Sequence, residues 1–328
     1  MTSTILKRFL SAGLCGSRLT AAGLGLVTLT SVLTACGSGD PASAGPKGAD
    51  YTLVSVRGTW EERRTLFLAQ EQLILKCMKA KGKIYFANEL PAKSSTWDTF
   101  GQFTTVGPGD DVEKARRQGY GSAELLRQEK SSPKSRNGDY SKSLPPTQKA
   151  QWEKALIGDG KTISYSVPGR GDGGSPANGC FADANRELYK ELTKWYQAEA
   201  TITSIGGLIS NKFAADEEFP GIVTKWASCM GAKGYDFKSP TEAGSAAVGA
   251  VRAASKAKNG YAAAKGREIK IAVAAAECDK QVGYSATGKR IWSKHQAQIL
   301  TEREADVLAY RELRLAALTR AKEVLKNA

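Results

Sequence analysis

The chain of 328 residues contains a single histidine, His295, and that number limits the chemistry available to it. A Ser-His-Asp triad would have to recruit His295, yet no GxSxG nucleophile elbow is present. His295 stands among Ser293, Lys294 and Gln296 in a charged helical stretch, where a solvated surface side chain is expected. A zinc site would need several histidines or free cysteines, so no metal site is expected. Ser131–Lys134 and Ser255–Lys258 match SxxK, but Lys161-Thr162-Ile163 breaks the companion KTG motif of penicillin-binding enzymes. Gly158-Asp159-Gly160-Lys161-Thr162 has part of a phosphate loop, with Ala155 where the first glycine belongs, and reads as a turn. Arg170-Gly171-Asp172 lies within the glycine-rich run Gly169–Gly174 and reads as a flexible approach to Cys180. Paired carboxylates remain, at Asp110-Asp111 and at Asp216-Glu217-Glu218. A glycan hydrolase needs an acid and a base or nucleophile about 5–10 Å apart. Both clusters precede helical patterns, where acidic side chains meet the positive helix end, and capping accounts for them.

The cysteines carry more information. Cys77-Met78-Lys79-Ala80-Lys81-Gly82 and Cys229-Met230-Gly231-Ala232-Lys233-Gly234 share five of six residues. Leu66, Ala69, Leu73 and Cys77 recur at helical spacing before the first copy, and Ile222, Trp226 and Cys229 before the second. Gly82 and Gly234 fall where a helix C′ residue takes left-handed geometry, with Lys81 and Lys233 near the negative helix end. Each copy is followed later by a cysteine in another helical context, Cys180 and Cys278. Four such cysteines permit three connectivities. Two half-domains, each pairing a CMxAKG helix with its downstream cysteine helix, favour Cys77–Cys180 and Cys229–Cys278. A structural staple is expected, since no CxxC pair is present for redox work.

The amino-terminal segment addresses location. Lys7, Arg8 and Arg18 make it basic, and no acidic residue precedes Asp40. Leu19 to Leu33 is uncharged and mostly apolar. At ~1.5 Å per residue this run is too short for a hydrocarbon core of ~30 Å, but it suits a signal-peptide core. Leu33-Thr34-Ala35-Cys36 resembles the lipobox of bacterial lipoproteins, in which the cysteine thiol receives diacylglycerol and cleavage falls just before it. Bulky Leu14 makes Cys15 a poor rival. The resemblance implies a signal peptide at 1–35, a lipidated Cys36, and a flexible tether over 36–50 that is rich in Gly, Ser, Ala and Pro. The implied address is the extracytoplasmic face of a cell membrane, where an even cysteine count fits two disulfides.

Removal of residues 1–35 leaves 293 residues and lowers the formal charge from +14 to about +11. A surface that basic favours anionic partners: lipid headgroups, wall polymers or acidic envelope proteins. Nucleic acid fits the charge but not the compartment, and the basic residues are scattered rather than gathered in a stripe.

The elements that must position these residues read as mainly α. Pro146-Thr147 opens a helix through Trp152 and Leu156, and 184–200 forms an amphipathic helix with Leu188, Leu192 and Trp195. From Gly288 a long charged helix runs nearly to the end, with Ala309, Leu313, Ala317, Ala321 and Val324 on one stripe that needs partner helices. Residues 94–145 read as a surface excursion with short helices, and 240–265 as a loosely packed helix or mobile crossover. The expected fold is a helical bundle of two cysteine-stapled halves with a long charged C-terminal helix, spanning 51–328 with halves near 51–205 and 206–328.

The CMxAKG motif with its following aromatics, Gly119-Tyr120-Gly121, Asn178-Gly179-Cys180 and Ala276-Glu277-Cys278 together resemble a group of actinobacterial secreted lipoproteins over most of 60–325. The resemblance implies compartment and architecture, and no activity or cofactor. The expectation is a membrane-anchored, non-enzymatic binding or interaction protein of the cell envelope. A wall-glycan hydrolase using Asp or Glu, or the solute-binding component of a transporter, stands as the alternative.

Overall fold

Helix ends are written into the sequence with unusual clarity, and the computed structural model shows how they organise residues 52–90, 102–131, 135–257 and 260–328. Residues 1–35 and the tether with Cys36 lie outside the described residues. After a short α1 (Leu53–Arg57), Thr59 caps α2 (Trp60–Ala80): its hydroxyl accepts from Glu62 N while the Glu62 carboxylate accepts from Thr59 N. Asp111 caps α3 (Val112–Gln118), which α4 (Ser122–Ser131), α5 (Arg136–Ser143) and α6 (Pro146–Ile157) follow. A hairpin of β1 (Thr162–Val167) and β2 (Gly171–Pro176) leads to α7 (Cys180–Tyr189) and α8 (Leu192–Ala214). The chain ends in α9 (Glu218–Ala232), α10 (Pro240–Lys256), α11 (Tyr261–Val282), α12 (Tyr284–Glu302) and α13 (Glu304–Lys326).

The duplicated motif closes α2 and α9 in the same way. Lys83 N donates to Met78 O at 2.9 Å and Tyr235 N to Met230 O at 3.0 Å, with Gly82 at φ +64° and Gly234 at φ +83°. Both are Schellman closures, in which a left-handed glycine lets the chain satisfy the last helical carbonyls. The disulfides join Cys77 to Cys180 and Cys229 to Cys278, with Cα separations of 5.6 and 5.7 Å. Cys180 is the first residue of α7, whereas Cys278 lies near the end of α11, so the repeat covers the motif helices and not their partners.

Each motif half encloses buried apolar side chains. Ile74, Met78, Tyr85, Trp152 and Cys180 pack around the first staple; Trp226, Met230, Ala272, Ala276 and Cys278 pack around the second. Packing crosses the boundary near residue 205. Helix α13 lies against α2, α7 and α8, and its Val307, Tyr310, Ala317 and Leu318 share a core with Leu66, Leu188, Ile202 and Ile205. In exchange, α3 and α4 lie against α11 and α10.

Three expectations need correction. The 184–200 helix is interrupted at Lys190, a non-glycine residue at φ +63°, which turns the chain between α7 and α8. The long C-terminal helix is present as α13, but the run expected from Gly288 is divided at Arg303, and Ile299 and Leu300 of α12 join Val307 of α13 in one core. Gly169–Gly174 is no flexible approach but the turn and start of β2. Tyr165 lies opposite Gly173, where a Cβ would stand 2.6 Å from the ring, so the glycine makes room for the aromatic.

The remaining irregular stretches are better anchored than their composition implies. Glu268 of α11 is buried and accepts from Tyr120 N at 2.8 Å and Ser122 N at 3.2 Å, tying the 119–122 turn to the second half. Glu71 of α2 does the same for the chain after the first motif, accepting from Tyr85 Oη at 3.0 Å and Asn88 N at 2.7 Å. Residues Pro240–Lys256 form a regular helix capped by Ser239, with Ala243, Ala247 and Val251 buried.

Candidate functional site

A partly enclosed cavity of about 390 Å³ opens where α2, α7 and α8 converge with α13 from the second half. Helical spacing builds it. On α2, Trp60, Arg63, Phe67 and Gln70 recur at intervals of three and four and share one face. Phe181, Asn185 and Tyr189 do the same on α7, Trp195 and Glu199 on α8, and Tyr310 and Arg314 on α13. Arg57 at the end of α1 completes the basic side.

Three rings form one wall. Tyr189 stacks on Trp195 with centroids 3.5 Å apart and planes 6° apart, and Trp195 lies against Tyr310 at 5.6 Å and 21°. All three are buried, and burial raises the hydroxyl pKa of Tyr189 and Tyr310. Polar side chains fix the floor. Gln70 Nε2 donates to Asn185 Oδ1 at 2.9 Å, and Tyr196 Oη donates to Pro176 O at 3.1 Å.

Charge in the cavity is predominantly positive. Arg57, Arg63 and Arg314 line it, and Glu199 is the only carboxylate among the described lining residues. Burial raises the Glu199 carboxyl above its ordinary value, against the opposing pull of Arg57 and a hydrogen bond with Tyr310. Arg314 is buried and gives Nη1 to Glu62 Oε2 at 2.8 Å. The same oxygen accepts from Thr59 N at 2.8 Å, so the cap of α2 also sets the guanidinium. Gly58, at φ +85°, clears the way for this pair: a Cβ there would stand 2.1 Å from Arg314 Nη1. Among the described residues, two buried donors on lining side chains, Trp60 Nε1 and Arg314 Nε, have no acceptor. Buried N–H groups are nearly always paired in native proteins, so two on one cavity mark a place for acceptor oxygens.

The residues singled out by sequence lie elsewhere. Cys77, Cys180, Cys229 and Cys278 form the two staples, and Cys36 lies outside the described residues. Asp111 caps α3 through Lys114 N at 2.8 Å, and Glu218 pairs with Arg290. Neither acidic cluster lines the cavity. His295 is not the solvated side chain expected: it is 8% exposed, with Nε2 2.9 Å from Asp216 Oδ2. Its helix packs against α8, and the Asp216 turn folds back over it. The Asp159 turn is held by Asn178, whose Oδ1 accepts from Asp159 N at 3.0 Å. Among the described residues no group of three His, Cys, Asp or Glu side chains could hold a metal ion, and no helix is long and apolar enough to cross a membrane.

The cavity was not assembled at the sequence level, although its parts were visible as the spacing of Trp60, Arg63, Phe67 and Gln70 and of Phe181, Asn185 and Tyr189. Comparison with protein-family models, curated proteins and solved structures finds no match for the chain.

Proposed function

We propose that the protein is a lipid-anchored binding protein of the cell envelope, held by Cys36 at the extracytoplasmic face of a membrane and receiving a small ligand between α2, α7, α8 and α13. The observation that carries this reading is the cavity with its aromatic wall, its guanidinium groups and two unaccepted buried donors. Two disulfides fit an oxidising compartment, and the basic leader with Leu33-Thr34-Ala35-Cys36 and the likeness to actinobacterial lipoproteins fit lipid anchoring there. The basic surface favours anionic lipid headgroups, wall polymers or acidic proteins as neighbours. Binding is favoured over glycan hydrolysis because the cavity presents Glu199 without a second carboxylate. It is favoured over a transporter's solute-binding component because the described residues form a helical bundle with one hairpin rather than two α/β lobes.

Feeding cells an azide-bearing fatty acid tests the anchor. The wild-type chain should take up label and sediment with membranes, and Cys36→Ala should do neither. Undiminished labelling of Cys36→Ala overturns the anchored reading. In-cell crosslinking of the same pair then reads the neighbours, which should change when the anchor is lost.

A further inference from the structure

The lining chemistry narrows the ligand. A flat apolar body suits the ring column of Tyr189, Trp195 and Tyr310, because aromatic faces stack in offset geometry and add ~0.5–1.5 kcal/mol beyond area burial. Trp60 lines the same cavity from the first turn of α2, with Arg64 5.8 Å over its ring. A cationic ligand would meet Arg57, Arg63 and Arg314, with Glu199 already engaged by Tyr310 and facing Arg57. A neutral ligand could accept from the free donors, but a guanidinium bonds a carboxylate roughly twice as strongly as a neutral acceptor. Arg314 is prepared for that role: Glu62 takes one edge of its fork and leaves Nε without an acceptor.

Resting on the binding-protein reading above, we propose that the cavity takes a small aromatic carboxylate, its ring against the Trp195 column and its carboxylate oxygens accepting from Trp60 Nε1 and Arg314 Nε. Arg314 is fixed before the ligand arrives, since Glu62 of the α2 cap holds its Nη1. That preorganisation lowers the ordering cost of binding.

Equilibrium dialysis of the full lipid-anchored chain in phosphatidylcholine vesicles at pH 7 tests the assignment, with protein-free vesicles as the blank. The probes are 2-naphthoate and 2-naphthamide, which share a ring and differ in charge. The acid should bind at least tenfold more tightly than the amide. Trp60→Phe keeps a ring and removes the N–H; Arg314→Lys keeps the charge and removes Nε. Each should weaken the acid about fivefold or more, with melting temperatures confirming folded protein. Equal affinity for acid and amide overturns the anionic assignment and leaves the binding protein standing. Wild-type affinity for the acid in both folded variants overturns the proposed contacts. No binding of either probe sinks this assignment and the small-ligand reading together, while the Cys36 labelling result stands apart from it.

Discussion

At the scale of single residues, burial rather than reactivity sets the chemistry. Glu199 faces Arg57 and Tyr310, yet desolvation outweighs both and raises its carboxyl above the ordinary 4.5. The folded state therefore holds this proton more tightly than the unfolded chain does. The resulting stabilisation is complete below pH 4.5 and is lost as pH rises through the folded-state value. Glu199→Gln cannot titrate, so its stability relative to wild type should rise over that window and run parallel below it. Urea midpoints measured from pH 4 to 8 check the sign, and a constant difference across the range would contradict it. His295 shows the limit of reading residues by their neighbours in sequence. Ser293, Lys294 and Gln296 flank it on the chain, yet what meets the imidazole is Asp216 from a turn 79 residues away, whose Oδ2 also accepts from Lys294 Nζ at 3.2 Å.

At the scale of elements, buried carboxylates fasten loops to the cysteine helices. Glu268 accepts from Tyr120 N and Ser122 N and takes Lys265 Nζ at 2.6 Å. Removing it would leave two backbone donors without their acceptor and a largely buried ammonium without its carboxylate, held only by Gln118 O and Ser122 Oγ. Breaking a buried pair by deleting one partner costs about 3–5 kcal/mol, so Glu268→Ala should lose about that much in urea unfolding. Gly82 and Gly119 share a similar φ but differ in surroundings, and Gly119, at ψ −135°, also lies outside the left-handed helical region. Gly82, at φ +64°, has open space around it, and Gly82→Ala should cost about 1 kcal/mol. Gly119, at φ +62°, would place a Cβ 2.9 Å from Glu268 Oε1, so Gly119→Ala should cost clearly more. Equal losses would contradict both the strained ψ of Gly119 and the fixed position of Glu268. Local signals made much of this legible: the Schellman glycines and the Pro146 start both follow from residues within one turn. The breaks at Lys190 and Arg303 did not follow: Thr301-Glu302-Arg303-Glu304 contains no breaker, and Ile299, Leu300 and Val307 on either side of the break meet in one core built from distant parts of the chain. The cavity escaped for a similar reason, since its faces are helical stripes whose convergence depends on pairings distant in sequence.

At the scale of the molecule, the two staples and the exchanged helices do different work. The bridges close loops spanning 103 and 49 residues, and chain entropy assigns loops of that length roughly 4–5 kcal/mol each. They hold each motif helix to one partner, whereas the exchange ties the first half to the far end of the chain. Val307, Tyr310 and Leu318 of α13 are buried in the first core, and Leu313, Val324 and Leu325 pack against it. At ~1.5–3 kcal/mol per buried large apolar side chain, their loss is on the order of 10 kcal/mol, comparable to the whole stability of an ordinary domain. The core around Trp226, Met230 and Ala276 contains no residue of α13. Deleting 304–328 should therefore abolish hydrogen-exchange protection in α2, α7 and α8 while α9, α10 and α11 keep most of theirs. The same deletion removes Tyr310 and Arg314 from the cavity, so ligand binding should disappear even where Cys77–Cys180 remains intact. Equal loss of protection in both halves would mean that they unfold as one cooperative unit, with the exchanged α3 and α4 transmitting the damage through Glu268 to α11.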